Sequence, residues 1–131
     1  MHSSDFVGTW ELVSFSTRDL DTGEIRYPLG PEPAGLIIYS DDGYISAQLT
    51  GGTPPDDYFA YGGRFTFDAA SATLHHDVTI SILPELLTAP QFRQASLEGD
   101  RLTLSATTTD QGGERTISTL LWRRAPRNDW H

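Results

Sequence analysis

The chemistry open to this chain is narrow. All nine of its basic residues are arginine and it has no cysteine, which removes thiol nucleophiles, disulfides, thiolate metal ligands and lysine Schiff bases. Among the histidines, tyrosines, arginines and carboxylates that remain, three stand out by spacing: Tyr61, His76 and Arg93. Each shares a phase with apolar neighbours in an alternating run. Tyr61 goes with Phe59, Gly63, Phe65 and Phe67, His76 with Leu74, Val78, Ile80 and Ile82, and Arg93 with Ala95 and Leu97. Successive strand residues point to opposite faces, so all three are expected to point into an apolar interior, leaving His75, Asp77, Thr79 and Ser81 to solvent.

An inward guanidinium keeps its charge and needs a carboxylate or an anionic ligand. No Asp or Glu shares the inward phase of the last five predicted strands. Arg93 and Tyr61 are therefore candidate hooks for a ligand carboxylate, enolate or carbonyl. The competing reading places Arg93 at a rim, where it reaches water or a loop acid. His76 reads either as a proton shuttle, since a free imidazole titrates near neutrality, or as a core histidine bonded to Tyr61 or to backbone. If the chain is an enzyme, His76, Tyr61 and Arg93 are its candidate catalytic groups, and the rate should titrate in the neutral range. Phe59, Phe65 and Ile80 are expected to line the same space. Tyr39, Tyr44 and Gln48 are further candidates from the preceding hairpin, with Leu36, Ile38, Ile45 and Leu49 competing for its inner face.

Several kinds of site are missing. There is no Gly-x-Ser-x-Gly elbow, phosphate-binding glycine loop or His-Glu-x-x-His helix in the sequence. His75 and His76 are adjacent and so point apart, which argues against a metal. The paired carboxylates of a glycosidase are also absent from the inferred interior. Neither a metal nor an organic cofactor is expected.

The elements that must position these residues read as strands: Gly8 to Arg18, Glu24 to Tyr27, Gly35 to Ser40, Tyr44 to Leu49, Tyr58 to Phe67, Thr73 to Ile82, Gln91 to Leu97, Arg101 to Thr108 and Arg115 to Arg124. Turn signals separate them at Asp41-Asp42-Gly43, Glu98-Gly99-Asp100 and Asp110-Gln111-Gly112-Gly113. One short helical turn is expected at Pro84 to Leu87, and an irregular loop at Thr50 to Asp57. Sequential hairpins in a small chain favour an all-β, antiparallel up-and-down barrel, because closure removes exposed edges. Hairpin register places Phe65 opposite His76, Tyr61 opposite Ile80, Ile80 beside Arg93 and Arg93 beside Ala106, provided no bulge intervenes.

At 131 residues the chain is the size of one domain, with a core over about 6–124 and a loose tail, carrying Trp130, over 125–131. Its net charge of −9 repels phosphate backbones and anionic lipid. Neither nucleic acid nor membrane is expected as a partner, and a homodimer stays open. The N-terminus shows no basic region or apolar stretch of a secretory signal, so the expected compartment is the cytoplasm.

Phe6-Val7-Gly8-Thr9-Trp10-Glu11-Leu12-Val13 resembles the opening strand of the lipocalin and fatty-acid-binding superfamily, with its Gly-x-Trp motif. Tyr27 to Pro31, Gly35 to Tyr39, Asp42 to Leu49, Tyr61 to Phe65 with His75-His76, and Gln94 to Leu104 with its Leu97-Glu98-Gly99-Asp100-Arg101-Leu102 turn are similar to the bacterial lipocalin-like domain family. The resemblance covers most of the chain in the family's order. It implies a calycin barrel with a central ligand cavity, Trp10 at the closed end, and a late arginine, Arg123 or Arg124, covering that tryptophan by cation-π packing. Trp122, in phase with Leu120, is expected in the core. The family's insertion after the Ala-Gln-Leu segment is shortened here to Thr50 to Asp57. Asp19 to Tyr27 cannot supply the helix pair of fatty-acid-binding proteins, so their lipid-carrier role does not carry over. Barrels of this kind serve carriers, cyclases and isomerases alike. Two readings follow: a binder of a small apolar molecule with a carbonyl or anionic end, or a cofactor-free cyclase or isomerase of small-molecule metabolism.

Overall fold

The alternating runs fold as nine antiparallel strands: β1 (Gly8–Asp19), β2 (Ile25–Arg26), β3 (Ala34–Tyr39), β4 (Tyr44–Thr50), β5 (Tyr58–Asp68), β6 (Thr73–Ser81), β7 (Gln91–Glu98), β8 (Arg101–Thr109) and β9 (Arg115–Arg124). This computed structural model describes residues 1–52, 57–87, 91–109 and 112–126. Trp130, the Asp110-Gln111 half of the last turn and the middle of the Thr50 to Asp57 loop lie outside them. From β3 to β9 each strand pairs with the next in sequence, and β1 pairs with both β3 and β9. Eight strands thus close an up-and-down barrel, while the two-residue β2 pairs only with the far end of β1. Two short 3-10 turns, Ser3–Phe6 and Pro84–Leu87, complete the elements.

One long strand serves both sides of the closure because it bends. β1 pairs Leu12 with Trp122 and then Ser14 with Leu121, leaving Val13 as the extra residue. Such a bulge increases local twist and changes which parity faces inward. Trp10 and Leu12 are buried before it, Phe15 packs against the core after it, and Val13 is exposed.

A second bulge corrects the expected register. Phe65 pairs with His76, but Gly62 pairs with Ile80 and Gly63 with Val78, so Thr79 is the extra residue on β6. Past that point the inward parity switches. Tyr61 faces Ser81 rather than Ile80, and Ile80 and Ile82, expected inside, are 74% and 56% exposed. Gly63 makes the bulge possible, because a Cβ there would collide with the carbonyl oxygen of Asp77. Gly63→Ala is expected to destabilise the barrel by about 3 kcal/mol, the upper end of overpacking costs. Gly62→Ala, whose Cβ would lie 3.3 Å from the Ile45 carbonyl oxygen, should cost clearly less; urea unfolding of the two variants checks the difference.

The β6–β7 register also differs. β7 joins β6 over four pairs only, from Thr73↔Gln94 to His76↔Gln91, which sets Arg93 beside Leu74 instead of Ile80. The connection through the 3-10 turn at Pro84–Leu87 is too long for a tight hairpin to dictate register. β7 pairs with β8 from Gln94↔Ser105 to Glu98↔Arg101, and one step further along that register Arg93 is level with Ala106.

Candidate functional site

One end of the barrel is filled by side chains contributed from both ends of the sheet. Phe6, carried in by the first 3-10 turn, is fully buried and packs against Phe67, the two tilted rings 4.8 Å apart at their centroids. Trp10, also fully buried, donates its indole N–H to the Phe6 carbonyl at 2.9 Å. The Arg124 guanidinium lies over the Trp10 ring at 4.1 Å and donates to the carbonyls of Val7 and Asp5, both at 2.9 Å. Gly8 lets it approach: its φ is +126°, and a Cβ there would sit 2.8 Å from the guanidinium. Arg123 points outward instead, toward Glu11 at 3.6 Å.

Beyond the Trp122 row the interior opens into a cavity of about 300 Å³. Its wall is mostly apolar, with Phe15, Ile37, Leu49, Phe59, Leu104, Leu120 and Trp122 among the lining residues. The polar residues in the lining are Tyr61, His76, Gln91, Arg93, Thr108 and Ser118. Among the described residues, no carboxylate lines the cavity. The buried Trp122 indole N–H has no hydrogen-bond partner among the described residues, so this tryptophan contributes bulk.

Tyr61, His76 and Arg93 therefore share one wall. Tyr61 and Arg93 are half-buried and His76 is 1% exposed. His76 is held at both ring nitrogens: Nε2 lies 2.8 Å from the Tyr39 hydroxyl and Nδ1 lies 3.4 Å from the Tyr61 hydroxyl. Among the described residues, the hydrogen-bond partner of Arg93 is the Phe92 carbonyl, reached at 2.9 Å. Burial, with Arg93 and then His75 adding positive charge nearby, pushes the His76 pKa down to about 3. Its imidazole is thus neutral at ordinary pH, which removes the neutral-range titration expected of a free histidine. Burial also raises both tyrosines. Tyr39 lies well above its ordinary value, with Tyr61 adding to the rise and Arg93 opposing it, and Tyr61 is raised against the same arginine.

The remaining candidates divide by strand parity. Tyr39 is buried but sits behind His76, outside the cavity lining, packed edge-on against Phe65 at 4.8 Å. Phe65 likewise supports the wall without lining the cavity. Phe59 does line it, whereas Ile80 leaves the site at the β6 bulge. Tyr44 and Gln48 are corrections: both are exposed on the outer face, since Tyr39, Ile45, Ala47 and Leu49 take the inner parity of the β3–β4 hairpin. Tyr44 stacks under Arg64 at 5.2 Å, and Gln48 accepts a hydrogen bond from Tyr58 at 2.6 Å. Gln91, Thr108 and Ser118 were not singled out from sequence; the Leu102, Leu104, Ala106, Thr108 alternation of β8 carried the signal for one of them. Among the described residues no three metal-ligating side chains come together.

A model of the lipocalin-like domain matches the chain over residues 7–56 and 54–125. The chain belongs to the lipocalin-like domain family. No curated protein matches it. Solved structures similar to this lipocalin-like chain include a redesigned β-barrel, 17% identical over 95% of both chains with a TM-score of 0.49. Another is a de novo designed fluorescence-activating β-barrel, 14% identical over 94% of this chain and 96% of that one with a TM-score of 0.47. A closed lipocalin-like barrel is suited to small-molecule binding in general, and what it binds must be argued from the cavity.

Proposed function

We propose that the protein binds a small, largely apolar molecule with one carbonyl or anionic end and seats that end on Arg93 and Tyr61. The observation that carries this reading is an arginine lining a cavity whose lining, among the described residues, includes no acidic side chain. Arginine stays ionised at any working pH, and only one of its five N–H donors is engaged by the Phe92 carbonyl among the described residues. An apolar body with an oxygen acceptor at one end satisfies both the wall and the charge. Titration of 2-naphthoate against the protein, followed by fluorescence, tests the reading. Arg93→Met should weaken naphthoate binding by about 1.5 to 3 kcal/mol, the range of a charge-assisted hydrogen bond, with 2-methylnaphthalene binding unchanged. Equal naphthoate binding in the variant would place Arg93 outside the ligand's reach.

The hydrogen-bonded contact of His76 with Tyr61 favours a second reading, a cofactor-free cyclase or isomerase. There Arg93 and Tyr61 would hold a developing oxyanion, and a neutral His76 would relay a proton through Tyr61. Because His76 does not titrate near neutrality, the rate under this reading carries no histidine inflection there. His76→Gln would lower turnover while naphthoate still binds.

A further inference from the structure

We propose that Tyr39 and His76 are positioning residues that fix Tyr61 as a hydrogen-bond donor toward the cavity, so that the ligand end held beside Arg93 is an acceptor oxygen, not a hydroxyl or amine donor. The inference rests on the reading of the cavity as a small-molecule site and specifies its hydrogen-bond polarity.

The argument starts at the buried end of the chain of contacts. Tyr39 is 1% exposed, and among the described residues its hydroxyl has a single partner, His76 Nε2 at 2.8 Å. A hydroxyl carries one proton that must be given away, and a buried donor without an acceptor is costly. If His76 Nε2 carried the proton, it would donate to Tyr39 and leave the Tyr39 proton stranded in the core. Tyr39 therefore donates to an unprotonated Nε2. A neutral imidazole then carries its single proton on Nδ1. Among the described residues, the groups facing this ring, Tyr39, Tyr61, Arg93 and His75, include no carboxylate that would stabilise a doubly protonated form.

From Nδ1 the polarity passes to the cavity. Nδ1–H points to the Tyr61 oxygen at 3.4 Å, so Tyr61 receives there and must direct its own proton elsewhere. Tyr61 lines the cavity and is half-buried, and Arg93 lines the same space. Two donor-bearing side chains, a phenol and a guanidinium, then line one space, with no carboxylate among its described lining residues to accept from them. The short Tyr39 bond outweighs the long Tyr61 contact in setting the tautomer, because Tyr39 has no access to the cavity and Tyr61 has.

Nitrogen-15 NMR of the histidine-labelled, ligand-free protein, with His76→Gln used to assign the signal, reads the tautomer directly. The expected pattern is a protonated Nδ1 and an unprotonated Nε2, unchanged between about pH 6 and 8. A protonated Nε2 overturns the proposal. The second arm compares 2-acetylnaphthalene with 2-isopropenylnaphthalene, which has the same shape but carries a methylene in place of the carbonyl oxygen. The ketone should bind at least about 10-fold more tightly, the worth of one hydrogen bond, and Tyr61→Phe should reduce that preference while leaving isopropenylnaphthalene affinity as it was. Equal affinity of the two probes for the unaltered protein overturns the polarity assignment. Failure of both probes to bind, with the expected tautomer present, would instead count against the small-molecule reading of the cavity.

Discussion

Between pH 6.5 and about 3 the protein is expected to lose about 4 kcal/mol of stability through His76 alone. The unfolded chain takes up a proton on this histidine below its ordinary pKa of 6.5, while the native ring, with a pKa of about 3, does not. The unfolded state therefore binds more protons throughout that window, and stability rises with pH across it and is fully present above 6.5. Each pH unit of fall inside the window costs about 1.4 kcal/mol, less near its two ends, and the magnitude reflects an imidazole buried between Tyr39 and Tyr61 with Arg93 and His75 nearby. Carboxylates also titrate in this range, so the quantity to measure is a difference. Urea unfolding of the wild type and His76→Gln at a series of pH values should give curves that converge as the pH falls. Parallel curves would mean that the native ring protonates freely.

At the filled end of the barrel, Trp10→Ala should cost about 4 kcal/mol, near the middle of the range for deleting a buried tryptophan. Three losses coincide there: a fully buried ring, the donor to the Phe6 carbonyl, and the face on which Arg124 rests. Arg124→Met removes the cation-π contact and two bonds to backbone carbonyls but keeps an apolar stem over the ring, and should cost about 1 to 2 kcal/mol. Because the two side chains touch, the double variant should lose less than the two single losses combined. Strict additivity in chemical denaturation would contradict the coupling.

Strand positions were legible in the sequence because two local signals agree along nearly the whole chain: period-two alternation and turn residues. The closed up-and-down barrel followed from hairpin succession, but that only eight of the nine strands take part, with β2 paired solely to β1, did not. What local signals cannot carry is a change of parity inside a strand. Ile80 and Ile82 have the spacing of interior residues, and only the adjacent Gly62 and Gly63 on the partner strand hint that Thr79 is extra. The site divides in the same way. His76 and Arg93 were visible as polar intruders in apolar phases, whereas the choice of Tyr39 over Tyr44 for the interior depends on pairing with β4 and β1. The Tyr39–His76 contact spans 37 residues of sequence, and no periodicity reports on a meeting across the barrel.

The closure of β1 on β9 has a consequence for time rather than for stability. Every pairing from β3 through β9 joins strands adjacent in the chain, but Trp10 meets Arg124 across almost its full length. Loop-closure entropy makes so distant a contact among the last to be rewarded during folding. Interactions absent from the transition state act on the unfolding rate. The tryptophan and arginine at this seam thus bear less on how fast the barrel forms than on how long it stays shut.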